Sequence, residues 1–327
     1  MNIYQTVTDR ILKQLEAGVV PWRKTWISGL PKSLTTGKSY RGVNLLVLGS
    51  AQYTSRYWVT YRQALQLGGH VRKGERATPV VYWKWRTPED LRRLEAKTGK
   101  AGLAPCYPFT AAVFNLDQVE GVERPADDVP NRPTDRVDLA EQVVAAMPDR
   151  PEIVHAAGAE PAYLPHLDRV LMPFPSQFER AQEYFCAIYH ELVHSVGSPK
   201  RLNRFSEAEG DRVERYSSEE LVAEFGAAFL CAQTGIQDAG TEALQASYIE
   251  GWSRALKKDP RLIVRAASAA QRAVDFILGT LPAREPADAA DDSTPPPDAP
   301  EPATAAAPAD PADRADPVES LTVAAVP

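Results

Sequence analysis

A short run in the second half of the chain has the residue types and spacing of a metal site. Residues 190–194 read HELVH, which places His190 and His194 four positions apart with Glu191 beside the first. Side chains four residues apart share one face of a helix, so both imidazoles can reach one ion. Glu191 flanks the same site and can reach a water on the metal. Catalytic zinc takes three protein ligands and a water, so the sequence should hold a third ligand downstream.

The surrounding sequence predicts the helix that this pairing requires. Ser176 and Glu179 have the spacing of a capping box, and apolar residues then recur at helical spacing. Gly197 follows where a helix should end. By itself the motif also occurs by chance, and the two histidines would then lie on a solvated face. The other histidines are isolated and are predicted to pack or to face solvent: His70, His155 and His166.

A second amphipathic helix is predicted over residues 217–230, SSEELVAEFGAAFL. Glu220 and Glu224 lie four positions apart, so one can bind the metal while the other orients a ligating histidine through a hydrogen bond. A structural interpretation competes with this one. Acidic residues in a first turn, here Glu219 and Glu220, complement the helix dipole, and Ser217 with Glu220 also fits a capping box. The preceding HELVH favours the metal interpretation.

An HExxH motif followed by E-x-x-A-acid-x-x-A resembles the gluzincin-type metallopeptidases. The resemblance implies that Glu220 is the third Zn²⁺ ligand and Glu224 the partner of a ligating histidine, although the family often carries Asp or Asn at the second place. Zinc would activate a water, Glu191 would take its proton, and a peptide carbonyl would be attacked. The resemblance also implies that the strand predicted over residues 168–172 is an edge strand that borders the cleft and can pair with an extended peptide. Tyr163 is predicted to pack or form a structural hydrogen bond rather than to stabilise an oxyanion.

The first part of the chain is basic and the remainder acidic. Residues 1–125 carry 19 lysines and arginines against nine acidic residues, whereas the rest carries 18 against 34. Aromatic residues alternate with these cations, a pattern in which unpaired bases stack on rings while cations follow phosphates. The alternative is that the tryptophans are core residues with basic neighbours in solvent. The residues predicted to bind single-stranded DNA are Trp22, Arg23, Lys24, Trp26, Lys38, Tyr40, Arg41, Arg56, Trp58, Tyr61, Arg62, Arg72 and Lys73.

Several segments occur in an order that resembles the ArdC-type antirestriction proteins. They are a short N-terminal helix, PWRKTW, GKSYRGVN, WVTYRQ, GGHVRKGE and FNLDQVEG. The resemblance runs from about Ile3 to Leu278 and implies an N-terminal domain that binds single-stranded DNA, followed by a zincin-like metallopeptidase domain. It further implies a role in evading host restriction for a mobile genetic element. Conjugative TraC-type primases share this arrangement, but no primase signature is found in the sequence.

The predicted fold class is α+β, with four consecutive parts. Residues 1–122 form a small mixed α/β DNA-binding domain, 123–137 a linker, 138–281 the metallopeptidase domain, and 282–327 a disordered tail rich in Ala, Pro and Asp. Residues 86–108 are predicted to be a mobile insertion. The chain has no run of eighteen apolar residues and no signal-peptide pattern, so a cytoplasmic protein without a membrane partner is expected. The three cysteines, Cys106, Cys186 and Cys231, show no paired spacing, which agrees with this compartment, and they are interpreted as core residues.

Three functional hypotheses remain open from the sequence. The favoured one is a single-stranded DNA-binding antirestriction protein that also hydrolyses peptide bonds of an unknown protein substrate through zinc. The second is a DNA-binding protein without enzymatic activity, whose metal is structural. The third is a protease that acts on one cellular protein and is activated by DNA.

Overall fold

The computed structural model describes residues 3–23, 29–51, 53–99, 105–125, 133–206, 212–236 and 246–281. The predicted tail, residues 282–327, lies outside the described residues. The fold is a mixture of helices and small sheets, as the sequence predicts. Across the described ranges, no helix combines the length and the apolar content that crossing a bilayer requires.

The N-terminal half is built on a four-stranded sheet with helices beside it. The sheet order is β1-β2-β5-β4, and β4 pairs with β5 in an antiparallel register from Thr78 opposite Val113 to Trp85 opposite Cys106. A separate two-stranded sheet joins β3 to β6. The elements are α1 (Ile3–Glu16), β1 (Lys32–Ser33), α2 (Val43–Gly49), β2 (Tyr57–Val59), α3 (Tyr61–Gln66), β3 (His70–Val71), β4 (Thr78–Trp85), α4 (Pro88–Thr98), β5 (Cys106–Asn115) and β6 (Val119–Glu120).

The C-terminal half packs helices against a three-stranded sheet of order β7-β9-β8. Strand β8 runs antiparallel to β9 at the edge of this sheet, and β7 runs parallel to β9 on the other side. The strands predicted over residues 151–155 and 168–172 are confirmed, but the prediction that residues 168–172 form an edge strand is wrong, because β9 pairs with a strand on each side and β8 forms the edge. The elements are α5 (Pro133–Ala146), β7 (Glu152–His155), β8 (Ala162–Leu164), β9 (Arg169–Met172), α6 (Ala181–Val196), α7 (Arg212–Thr234), α8 (Ala246–Lys258) and α9 (Leu262–Ile277).

Helices α6 and α7 approach closely because small residues line their contact. A Cβ atom added at Gly226 would lie 2.6 Å from Cγ2 of Val193, well inside van der Waals contact. Ala223 is fully buried one turn before Gly226. The absence of larger side chains at these positions lets the two backbones come together, as the small residues of the second predicted helix indicate.

The two halves share one continuous hydrophobic core. Ile11 and Leu46 from the N-terminal half belong to the same buried cluster as Phe225 and Ile263 from the C-terminal half. Polar contacts also cross between them. Arg41 forms an ion pair with Asp275 of α9, and the backbone N–H of Gly42 donates to Oε1 of Gln271 at 3.1 Å. The N-terminal half is therefore fastened directly to the helices of the C-terminal half.

Both predicted helix starts around the site are wrong. Residues Pro175–Gln177 form a separate 3-10 turn, and α6 begins at Ala181 after Arg180, so the predicted capping box of Ser176 and Glu179 is not used. Helix α7 begins at Arg212, which places Ser217 inside it. A residue inside a helix cannot cap its N-terminus, so the structural interpretation of Glu219 and Glu220 as first-turn residues is removed.

Three predicted loops contain regular structure instead. The insertion predicted over residues 86–108 holds α4, whose start is capped by Thr87 and Asp90 with Pro88 at a position that helices tolerate. Residues 68–76 read GGHVRKGER, a turn-rich basic pattern that predicts a hairpin, but β3 within this stretch pairs with β6 instead. Helix α5 begins at Pro133, inside the predicted linker.

Candidate metal centre

Helices α6 and α7 bring the three predicted ligand atoms together. The Nε2 atoms of His190 and His194 lie 3.1 Å apart, and each lies 3.5 Å from an oxygen of Glu220. His190 and His194 share a face of α6 as their spacing predicts, and Glu220 faces them from α7. Among the histidine, cysteine and acidic side chains of the described residues, these three have ligand atoms close enough together to hold one metal ion.

The spacing of these atoms fits a small divalent ion. Bonds of about 2.0–2.1 Å from a tetrahedral zinc ion place neighbouring ligand atoms roughly 3.3 Å from each other. The observed separations of 3.1 and 3.5 Å bracket this value. Two imidazoles and one carboxylate also leave a fourth position for water, as in catalytic rather than closed structural sites.

The charges around the site favour a cation. Burial lowers the pKa of His190, but a hydrogen bond with Glu220 and the charges of Glu224 and Glu191 outweigh it and raise the pKa to about 9. For Glu220 the burial effect has the opposite sign and raises the pKa of the carboxyl group. The contacts of Glu220 with the two histidines outweigh burial, so its pKa is lowered overall. The carboxylates thus stabilise positive charge at this point, which a divalent ion would supply.

The carboxylate of Glu191 is held in place by an edge strand. Glu191 is buried, and the backbone N–H of Tyr163 in β8 donates a 2.7 Å hydrogen bond to its Oε2. The other carboxylate oxygen is not engaged by this bond. The sheet edge therefore fixes the orientation of the group that the sequence predicts to move a proton.

A pair of residues that the sequence analysis did not assign orients His194. The Nδ1 atom of His194 lies 3.1 Å from Oε1 of Glu219, and Arg204 donates to both oxygens of Glu219 at 2.6 and 2.9 Å. Arg204 also donates to the backbone carbonyl of Val193 at 3.0 Å. Burial raises the pKa of Glu219, but these bonds lower it overall, so the carboxylate is charged.

Only a weak sequence signal was available for this pair. Glu219 is adjacent to Glu220, and the acidic pair of residues in α7 was assigned from a four-residue spacing that leaves Glu219 out. Arg204 begins a short 3-10 helix, Arg204–Ser206, which lies 15 residues before Glu219, and nothing in its spacing connects it to α7.

Glu224 lies behind His190, on the side away from Glu220. One of its oxygens lies 3.9 Å from Nδ1 of His190, and the other accepts a 3.2 Å hydrogen bond from the indole N–H of Trp22. This placement agrees with the role that the family resemblance implies for Glu224.

The side chain of Tyr163 belongs to a structural network. Its hydroxyl donates to Asp168 at 2.9 Å, and Asp168 also accepts from Arg201 and Lys200. Burial raises the pKa of Asp168, but the hydrogen bonds from these three residues outweigh it and lower the pKa to about 2. Arg201 further donates to the backbone carbonyl of Asp149, so the network ties together the loops that surround β8 and β9.

Two cysteines face each other across the site helices. The sulfur atoms of Cys186 in α6 and Cys231 in α7 are 3.4 Å apart, a distance at which one thiol donates a hydrogen bond to the other. Their separation by 45 residues gave no pairing signal in the sequence.

Four of the residues predicted to bind DNA are buried, which corrects that prediction. Their side chains are at most 8% exposed, and the rings among them form part of the core: Trp22, Tyr40, Arg56 and Trp58. A ring enclosed on both faces cannot stack on a base, so the alternative of tryptophans as core residues holds here. Arg41 is only partly exposed because it pairs with Asp275.

A smaller set of the predicted residues lies on the surface: Lys38, Tyr61, Arg62, Arg72 and Lys73. Tyr61 is 55% exposed at the start of α3. Arg72 forms an exposed ion pair with Glu75. Lys24, Trp26 and the side chain of Arg23 lie outside the described residues.

Two family models match the chain in the order of its two halves. The N-terminal domain of anti-restriction factor ArdC matches residues 1–114, and a zincin-like metallopeptidase domain matches residues 139–269. The second match contains the three converging ligand atoms and Glu191. The first contains the surface residues of the basic half.

The chain is also similar to solved structures of antirestriction ArdC protein from the R388 plasmid. The metal-free crystal structure has a TM-score of 0.69 at 35% identity and covers 86% of this chain and 98% of that one. The Mn(II)-bound structure has a TM-score of 0.67 at 34% identity, with 86% and 99% covered.

Curated relatives show the same similarity over most of this chain. Two proteins of Escherichia coli described as DNA primase TraC are 35% and 34% identical, but the chain spans only 27% and 20% of their lengths. The uncharacterized protein y4eC of Sinorhizobium fredii is 34% identical over 84% of this chain and 91% of its own length. The chain therefore belongs to the ArdC antirestriction family and joins its N-terminal domain to a zincin-like metallopeptidase domain.

Proposed function

We propose that this protein binds single-stranded DNA through its N-terminal half and hydrolyses peptide bonds at a metal held by His190, His194 and Glu220. The observation that carries the peptidase proposal is the convergence of three ligand atoms within 3.1–3.5 Å beside the buried carboxylate of Glu191. Zn²⁺ is the proposed metal because two imidazoles and a carboxylate are a usual catalytic zinc set. A similar solved structure is described as Mn(II)-bound, which supports a divalent ion in this family without selecting zinc.

The chain's own residues have distinct proposed tasks in the reaction. A divalent ion would polarise the substrate carbonyl and acidify a water. Glu191 would accept the proton of that water and pass it to the leaving amine. The backbone N–H of Tyr163 keeps one oxygen of Glu191 occupied, so the other is the one available to the water. Glu219 and Glu224 would hold the two imidazoles with their Nε2 atoms toward the ion.

The position of β8 supports an extended peptide as the substrate. This strand is at the edge of its sheet, and its backbone contacts Glu191. An extended chain can add to such an edge through main-chain hydrogen bonds, which would bring a scissile bond beside the proton acceptor.

The DNA-binding proposal rests on charge and on the surface residues that remain after the buried ones are removed. Residues 1–125 have an excess of ten positive charges, and the exposed aromatic Tyr61 is followed by Arg62 in α3. A ring beside cations suits an unpaired base beside phosphates. The whole-protein activity of the longer primase relatives is not proposed, because the chain matches only a small share of them.

The test of the peptidase proposal compares the full-length wild type with Glu191→Gln. Gln keeps an oxygen that can accept the Tyr163 hydrogen bond but cannot take up a proton at neutral pH. Both proteins, loaded with Zn²⁺ and separately with Mn²⁺, are incubated with a proteome-derived peptide library with and without single-stranded DNA, and cleavage is read by mass spectrometry. Glu183→Gln changes a half-buried glutamate in the first turn of α6 that pairs with Arg180, and it is the matched control.

We expect the wild type and Glu183→Gln to cleave and Glu191→Gln to retain its metal without cleaving. A loss of about 100-fold or more is expected when a general base is removed. A wild type that holds one metal ion per chain and cleaves nothing under any of these conditions would contradict the peptidase proposal. Cleavage that appears only with DNA would support activation of the site by DNA.

A further inference from the structure

One residue of the N-terminal half reaches into the neighbourhood of the metal centre. Trp22 lies within the residues that match the ArdC N-terminal domain, yet its side chain is only 1% exposed among helices of the C-terminal half. Its ring packs edge-on against Phe225 of α7 at 4.8 Å and against Trp252 of α8 at 5.3 Å. Two aromatic neighbours thus fix the direction in which the indole N–H points.

That N–H points at the carboxylate behind His190. The indole nitrogen of Trp22 donates to Oε2 of Glu224 at 3.2 Å, while Oε1 of Glu224 lies 3.9 Å from Nδ1 of His190. An indole N–H can only donate, so the direction of this bond is certain. The contacts from Trp22 to Glu224 and from Glu224 to His190 therefore connect the N-terminal half of the protein to a proposed metal ligand in the C-terminal half.

We propose that Trp22 is a positioning residue for the metal centre and acts through Glu224. With one oxygen held by the indole, the carboxylate places the other 3.9 Å from Nδ1 of His190, where its negative charge favours a proton on that nitrogen and leaves Nε2 for the metal. This inference rests on the proposed metal site. It means that the N-terminal half completes the metal centre of the C-terminal half, so that metal affinity depends on how the two halves dock.

The surroundings of Trp22 explain why the docking is firm enough for this role. Arg41 and Gly42 attach the N-terminal half to α9 through Asp275 and Gln271. The hydroxyl of Thr8 in α1 donates to the carbonyl of Pro260 at 2.9 Å. These contacts hold the two halves together, so the position of Trp22 against α7 and α8 depends on the same docking.

The test measures metal affinity in the full-length protein rather than peptidase activity. The variants are Trp22→Phe, Glu224→Ala and the double variant, with Trp58→Phe as the matched control. Trp58 is also buried in the N-terminal half, where it packs on Tyr53. Zn²⁺ and Mn²⁺ affinities are measured by competition with a chelating dye. The visible spectrum of the Co²⁺-loaded protein reports the ligand geometry, and thermal unfolding of the metal-free proteins checks the fold.

Removing the donor should weaken Zn²⁺ binding by about three- to tenfold, as expected for one hydrogen bond to a group that orients a ligand. Trp58→Phe should stay within about twofold of the wild type. In the Glu224→Ala background, Trp22→Phe should have no further effect on affinity, because the acceptor is gone. The Co²⁺ spectrum should change in Trp22→Phe and not in Trp58→Phe.

Replacing Trp22 with 3-benzothienylalanine provides a second variant if phenylalanine disturbs the core. It keeps the two-ring shape and exchanges the N–H for sulfur, so folding is preserved while the hydrogen bond is lost. Unchanged affinity in this variant, or an equal loss with and without Glu224, would overturn the role of Trp22. A wild type that binds neither Zn²⁺ nor Mn²⁺ would instead overturn the proposed metal site itself.

Discussion

The carboxylate of Glu219 lies 3.1 Å from Nδ1 of His194, and each of its two oxygens accepts a hydrogen bond from Arg204. This contact directs the opposite ring nitrogen of His194 toward Nε2 of His190 and the carboxylate of Glu220. Glu224 stands in the corresponding place behind His190. Each histidine of the proposed metal site therefore has its own carboxylate on the far side of the ring, and both carboxylates come from α7.

Glu219→Ala should weaken Zn²⁺ binding by about 10- to 100-fold, because losing the partner of a ligating histidine releases its ring and its tautomer. The measurement is competition with a chelating dye at pH 7. Glu250→Ala, an exposed glutamate of α8 that pairs with Arg254, is the control and should bind as the wild type does. Equal affinity in the two variants would mean that Glu219 does not orient a ligand.

His190→Ala, His194→Ala and Glu220→Ala should each lose stoichiometric metal, since two ligands hold a divalent ion poorly. Elemental analysis of the purified proteins should give about one zinc ion per chain in the wild type and much less in the three variants. His155→Ala is the control, because His155 stacks on Tyr184 and Phe174 away from the three ligand atoms. Full metal content in Glu220→Ala would reassign the third ligand.

Gly226→Ala should destabilise the fold by about 1–3 kcal/mol, because its new methyl group would meet Val193 and push α6 and α7 apart. The clash is predicted from the 2.6 Å approach to Cγ2 of Val193. Gly251→Ala is the opposite case on α8, where open space surrounds the added carbon, and it should stabilise by roughly 0.5–1 kcal/mol. Urea unfolding of the metal-free proteins measures both, and a neutral Gly226→Ala would refute close packing at this point.

Asp168→Asn should reduce stability at neutral pH and lose its effect in acid. The pKa of Asp168 in the folded protein is about 2, below its ordinary value of 3.8. The carboxylate therefore stabilises the fold fully above about pH 4, and this stabilisation disappears as the pH falls toward 2. The shift corresponds to roughly 2.5 kcal/mol, which partial solvent screening reduces to about 1–2 kcal/mol.

The comparison for Asp168 is made by urea unfolding at pH 7 and pH 3, with the exposed Asp138→Asn as a control. Asn suits this position because Asp168 has a φ of 49°, a left-handed conformation that Asn accepts. A destabilisation that is as large at pH 3 as at pH 7 would show that the effect of Asp168 does not come from its charge.

Tyr61→Ala should weaken binding of single-stranded DNA by about 1–3 kcal/mol if its exposed ring stacks on a base. Fluorescence anisotropy with a labelled oligonucleotide measures this, and affinity should fall steeply with salt because phosphates are contacted. Phe174→Ala removes an equally exposed ring from the C-terminal half and should have little effect. Equal binding by Tyr61→Ala and the wild type would remove the stacking proposal at this position.

The shared face of the two histidines could be predicted from sequence because it depends on a local pattern, whereas the order of the two domains and the part played by the second helix were implied by the family resemblances. A four-residue spacing fixes the shared face of His190 and His194 whatever the rest of the chain does. The β-branched and aromatic content of residues 77–85 predicts a strand, and a further strand is predicted over residues 109–116; the two appear as β4 and β5. Predicted helix ends were less successful, because capping residues such as Ser176 occur where no helix begins.

Whether the tryptophans are buried or exposed could not be predicted in the same way. Trp22 and Trp58 have cationic or aromatic neighbours in sequence, as exposed stacking residues would, yet tertiary packing encloses both. Burial depends on which surfaces meet across the chain, and Trp22 meets α7 and α8 from more than 200 residues away in sequence. The residues next to Trp22 in the sequence do not indicate that contact.

The sequence by itself determined the ligand types, their helical spacing and the division into a basic and an acidic half, since each is a property of neighbouring residues. Only the tertiary structure decided that Glu219 and Arg204 support His194, that Tyr163 presents its backbone rather than its hydroxyl to Glu191, and that Trp22 supports Glu224. These contacts join segments whose separation along the chain leaves no periodic pattern, and they form because packing two helices and a sheet edge fixes directions that spacing alone does not.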